Sequence, residues 1–131
     1  LDHVEMTDVP TPLAVNGFYY CDPDGHDGWV QDRAPAPVDD TTPRIEDIAF
    51  SDVTTRNVSL AVVAALGLPE APIRGIVLTR VRASFDPKAE AAPPLMADGV
   101  PAIRHVTITA TNAEVAGEIE ILDTVKDPAP C

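Results

Sequence analysis

One nine-residue pattern recurs four times along the chain. IEDIAFSDV (45–53) places Ile45, Ile48, Phe50 and Val53 at offsets 0, 3, 5 and 8, and IRGIVLTRV (73–81) does the same with Ile73, Ile76, Leu78 and Val81. LDHVEMTDV (1–9) gives Leu1, Val4, Met6 and Val9, while IRHVTITAT (103–111) gives Ile103, Val106 and Ile108, closed by Thr111. Fifteen of the sixteen positions are apolar in a chain that is 45% apolar overall, so chance does not account for the pattern. The copies start 44, 28 and 30 residues apart.

The spacing carries geometry. Offsets 3 and 5 alternate as a strand requires, whereas the steps 0 to 3 and 5 to 8 are odd. An odd step keeps both residues inside only if the backbone bends between them. Short strands joined by such bends, repeated every 28 to 30 residues, predict an all-β fold made of right-handed parallel β-helix coils. A β-sandwich also has short strands and turns, but it has no reason to repeat one nine-residue template.

Residues 1–131 are read as a single unit of this domain, with coil anchors near 1–9, 45–53, 73–81 and 103–111. Second strands are expected at LAV (13–15), VSLAVVAAL (58–66) and EIEIL (118–122). The 44-residue step exceeds its neighbour by 16, and the excess is expected to leave the coil in the Pro- and Gly-rich loop 22–43. A smaller excursion is expected at 85–101. Offset 6 reads Thr7, Ser51, Thr79 and Thr109, a hydroxyl ladder for an outward face; offset 7 sets Asp52 one rung from Arg80 as an ion pair.

The net charge of −12 argues against a nucleic-acid surface, which needs clustered Lys and Arg. No apolar run approaches the roughly 18 residues of a membrane span. Cys21 and Cys131 do not make a disulfide framework, and no CxxC or CxxxH spacing offers a zinc site. The start LDHVEM has neither an initiator Met nor a signal peptide, which fits a fragment or a processed product.

The densest chemistry is FYYCDPDGHDGWVQDR (18–33). An EF-hand reading of its aspartates fails, because Gly25 falls at position four from Asp22 and Arg33 falls at position twelve. No metal is therefore assigned, and no cofactor. Sugar contact stays open: Tyr19, Tyr20 and Trp29 offer ring faces, and His26, Gln31 and Arg33 offer donors for hydroxyls and carboxylates. The competing reading makes Phe18 and one Tyr core residues and lets the others pin the loop. GLPE (67–70) is read as a turn, with Gly67 permitting it, Pro69 ending the strand and Glu70 capping nearby amides.

The order FYYCDPDGH…VQ, PVDDTTP, GLPEAPIRGIVLTRV and SFDP resembles the C-terminal part of glycoside hydrolase family 28, in particular its bacterial polygalacturonase-like branch. The resemblance spans essentially the whole chain. It implies a pectin-degrading β-helix that hydrolyses α-1,4 galacturonosyl bonds with inversion, using one carboxylic acid and one carboxylate base. The NTD, DD, GHG and RIK motifs that carry the family's catalysis have no counterpart here. Asp39-Asp40 lies in a proline-flanked turn, His26 lies in a loop, and Arg44-Ile45 is followed by Glu46. No catalytic residue is assigned in this chain, which is expected to be inactive alone, with the catalytic carboxylates upstream.

The resemblance further implies pectin or an oligogalacturonide as partner, with an extracellular or periplasmic location. Nucleic acid and membrane are excluded as partners. Self-association is expected through the apolar coil end that a cut solenoid exposes. The alternative from another class is a non-catalytic β-helix module for carbohydrate binding or assembly.

Overall fold

The computed structural model describes residues 1–18, 27–40 and 42–122. Among them, eight strands are joined with a single one-turn helix: β1 (Asp2–Thr7), β2 (Leu13–Asn16), α1 (Gly28–Gln31), β3 (Glu46–Val58), β4 (Ala61–Leu66), β5 (Ile73–Phe85), β6 (Val106–Thr111), β7 (Ala113–Ala116) and β8 (Ile119–Ile121). The protein is all-β, and every strand pair is parallel. One sheet runs β1-β3-β5-β7, with β8 also on β5; the other runs β2-β4-β6. Up to β6 the chain therefore alternates between the two sheets.

The odd steps of the sequence pattern are bends. Backbone φ is positive at His3, Asp8, Asp47, Asp52, Asn57, Gly75, Arg80 and His105. Each lies one residue before an inward apolar residue, inside a three-residue step such as Phe50-to-Val53. A left-handed residue turns the chain so that both ends of the step point inward. Asp, Asn and His tolerate this conformation better than most residues, which accounts for their frequency at these positions. The ladder of bends is in register: Asp2 pairs with Ser51 and Ser51 with Thr79, which stacks His3, Asp52 and Arg80.

The core follows from the same pattern. Phe50, Val53, Thr55 and Val58 of β3 face Ile76, Leu78, Val81 and Ala83 of β5, and Val62, Val63 and Ala65 of β4 close the interior. All six residues of β4 are buried, so both faces are covered, in keeping with its uninterrupted apolar run. Gly67 follows directly. A Cβ there would lie 2.1 Å from the carbonyl oxygen of Asn112, so only glycine lets the next strand approach this closely.

Two of the four repeats sit elsewhere than the template places them. Segment 45–53 does stack on 73–81, with Ile48 on Ile76 and Phe50 on Leu78. Segment 1–9 lies against 50–58, five residues further on, with Val4 on Val53. The inward spacing 3, 2, 3, 2 maps onto itself under a five-residue shift, so the template cannot fix that register. Segment 103–111 contributes β6 to the other sheet, where Val106 pairs with Ala61 and Ile108 with Val63. The rung on β5 is instead 113–121, with Ala113 on Ile73, Val115 on Ile76 and Ile119 on Val81. The expected second strand 118–122 thus belongs to the first sheet, as β8. The hydroxyl ladder shrinks to Ser51 and Thr79, because Thr7 pairs with Arg56 and Thr109 with Ala64.

Candidate functional site

Both excursions meet on one side of the sheets. In the first, α1 forms a single turn closed by the Gln31 N–H donating to the Asp27 carbonyl at 3.2 Å. Gln31 is buried, and its side-chain oxygen accepts the Asp98 N–H at 3.1 Å. Arg33 places its guanidinium 3.9 Å from the centroid of the buried Phe18 ring. It donates to the Gln31 carbonyl at 3.0 Å and to the Asp98 carbonyl. On the same side the Asn16 amide donates to the Met96 carbonyl at 3.0 Å. The segments around 31–33 and 96–98 are thereby tied together across a long stretch of sequence.

Between them lies a cleft of about 180 Å³, walled by Arg33, Leu95, Pro101, Ile103, Thr109 and Thr111. Its walls are mainly apolar, with one guanidinium and two hydroxyls. That suits a ligand with an apolar face and a few hydroxyls or a carboxylate. No carboxylate lines the cleft among the described residues.

Of the residues expected to touch sugar, Tyr19, Tyr20 and His26 lie outside the described residues, as does the side chain of Trp29. Gln31 and Arg33 are brought together, and both hold the two excursions in place. Arg33 also reaches the cleft. Cys21 and Cys131 fall outside the described residues as well. Thr109 and Thr111 were not read as site residues in the sequence, because Thr109 fell in the outward hydroxyl ladder and Thr111 closed the repeat pattern, and only the placement of β6 in the second sheet brings them to the cleft.

The turn readings are met in part. PVDD closes as a turn in which the Asp39 N–H donates to the Thr42 hydroxyl at 2.9 Å and the Thr42 N–H to the Asp39 carbonyl at 3.1 Å. GLPE turns through an Ala71 N–H donated to the Leu68 carbonyl at 3.2 Å. Among the described residues no amide is seen to donate to Glu70, and its Oε2 is buried without a hydrogen-bond partner.

A second charged constellation surrounds the bend ladder. The Arg80 guanidinium grips the Asp52 carboxylate through Nε and, at 2.7 Å, through Nη2, the ion pair the spacing implied. His3 stands 2.8 Å from Asp2 and 3.5 Å from Asp52. Asp2, His3 and Asp52 bring three ligand-type atoms within 4.8 Å of one another. The guanidinium on Asp52 supplies the positive charge there, and this group is a cross-rung ion network. The hydrogen bond from Arg80, helped by its charge, holds the Asp52 carboxyl below the usual carboxylate range.

The fold and the cleft define an all-β protein of two parallel sheets whose insertions enclose a small, mainly apolar cleft. No protein family, curated protein or solved structure matches the chain.

Proposed function

We propose that this chain forms the C-terminal coils of a right-handed parallel β-helix in a pectin-degrading glycoside hydrolase, completing the fold and one end of the substrate groove. The observation that carries the reading is the convergence of the two excursions around the Arg33 cleft. Insertions gathered on one side of a parallel stack are how such folds shape a ligand groove. Support also comes from the bends that turn each strand inward and from the sequence resemblance described above.

In this reading the cleft binds and orients the polysaccharide and breaks no bond. Arg33 presents positive charge suited to a uronate carboxylate, and the apolar walls face the C–H side of the ring. The acid and base are supplied by sequence N-terminal to residue 1. Half-buried residues of the end strand β1, such as Val4 and Met6, favour self-association of the isolated chain.

The test is kinetic. In the protein carrying the upstream sequence, Tyr20→Ala is expected to raise KM for oligogalacturonide with little change in kcat. An unchanged KM at wild-type stability removes the groove role from this loop, and a protein that binds oligogalacturonide without cleaving it is a non-catalytic carbohydrate module.

A further inference from the structure

The second excursion has a closed neck and no anchor in the core. Ala92 and Ile103 exchange both backbone hydrogen bonds, the Ala92 N–H donating to the Ile103 carbonyl at 3.1 Å and the Ile103 N–H to the Ala92 carbonyl at 3.0 Å. The residues between them, 93–102, form a compact loop whose ends lie side by side. None of these residues is buried, whereas Ala89, just before the neck, is. Pro93, Pro94 and Pro101 hold φ fixed and carry no N–H, so both arms of the loop are stiff. Leu95, Val100 and Pro101 of this loop supply one part of the lining of the Arg33 cleft, and Leu66 of β4 with Thr109 and Thr111 of β6 supply another. At its tip, side chains of other elements grip the loop's main chain. Gln31 accepts the Asp98 N–H at 3.1 Å, Arg33 donates to the Asp98 carbonyl, and Asn16 donates to the Met96 carbonyl at 3.0 Å.

We propose that residues 93–102 are a lid over the Arg33 cleft, latched by Gln31, Arg33 and Asn16 and lifting about the Ala92–Ile103 neck while both sheets stay intact. No buried side chain leaves the core when the loop lifts, so the opening breaks polar contacts and costs far less than unfolding. Size supports a moving wall: the cleft of about 180 Å³ is smaller than the roughly 300–1,000 Å³ of ordinary ligand sites. Raising one wall widens it into an open groove. Lifting also releases the Arg33 N–H that the Asp98 carbonyl holds, so a ligand oxygen that takes this donor competes with the latch and favours the open form. That this ligand is a polysaccharide rests on the reading above. The lid is tested without sugar, so the two fail separately.

The test is amide hydrogen exchange of the isotopically labelled full chain, followed by NMR over a series of low urea concentrations. The Asp98 amide is expected to exchange through a local opening at a rate independent of urea. Ile103 at the neck and Gly67, whose N–H donates to the Thr111 carbonyl, are expected to exchange more slowly. Asn16→Asp keeps the oxygen that accepts the Phe18 N–H and removes the donor to Met96. This latch does not touch Asp98, yet if the loop lifts as one body its loss speeds Asp98 exchange about tenfold and leaves Ile103 and Gly67 unchanged. Arg33→Met serves as a second latch variant, with the same expectation, if Asn16→Asp disturbs the fold. Asp98 exchange that rises with urea in step with Gly67, that neither variant speeds, or that matches an unprotected amide overturns the proposal.

Discussion

Replacing Gly67 with alanine tests how closely the rungs are held. The added Cβ would lie 2.1 Å from the Asn112 carbonyl oxygen, 3.0 Å from the Ile73 nitrogen and 3.1 Å from the Asn112 carbonyl carbon. All three are backbone atoms, which cannot rotate away as a side chain does. An ordinary contact begins near 3.4 Å, so the two segments must separate by about 1 Å. Two backbone hydrogen bonds hold them together: Gly67 N–H to Thr111 at 2.8 Å and Ile73 N–H to Asn112 at 2.9 Å. Losing one of these at a buried position is worth about 1–3 kcal/mol, and overpacking adds a comparable amount. Gly67→Ala is therefore expected to destabilise the protein by about 2–4 kcal/mol, a large part of the 5–15 kcal/mol typical of a domain. Urea unfolding followed by far-ultraviolet circular dichroism measures this as a lowered midpoint with unchanged slope. Gly28→Ala is the control, since a Cβ there meets nothing within 4 Å. A loss below about 0.5 kcal/mol for Gly67→Ala, no larger than a neutral surface change, would refute the reasoning.

Two further outcomes follow. Thr55 is fully buried with no partner for its hydroxyl, so Thr55→Val is expected to raise stability by about 1 kcal/mol in the same unfolding assay. Because the Arg80 hydrogen bond depresses the Asp52 pKa, Asp52 stabilises the fold above its ordinary value of 3.8. That contribution is lost as pH falls through the lower folded value, and carboxyl titration by NMR should find a midpoint below 3.8 that returns to the usual range in Arg80→Gln.

The sequence pattern made the bends legible because their physics is local. An inward residue at each end of a three-residue step forces a turn, and Asp, Asn or His at the bend supplies it. The Asp52–Arg80 pair was legible for the same reason, since 45–53 and 73–81 share one register. Register beyond that pair was not legible. The 3, 2, 3, 2 spacing is unchanged by a five-residue shift, so Leu1 fits beside Ile45 or Phe50 equally well. The pair Val106 and Ile108 satisfies a strand in either sheet, and the true third rung is hidden because 113–121 is compressed and starts on a small alanine. At the cleft, Gln31 and Arg33 were legible as polar loop residues. Their partner Asp98 was not, because the contact spans 65 or more residues.

The central claim is that these coils belong to a polysaccharide hydrolase whose acid and base lie outside residues 1–131. It is tested most directly by following polygalacturonate hydrolysis by NMR, with this chain alone and with the protein that carries the upstream sequence. The account predicts no product from the chain alone and, from the longer protein, cleavage that first releases the inverted anomer. Cleavage by the 131-residue chain itself, or none by the longer protein, would contradict it.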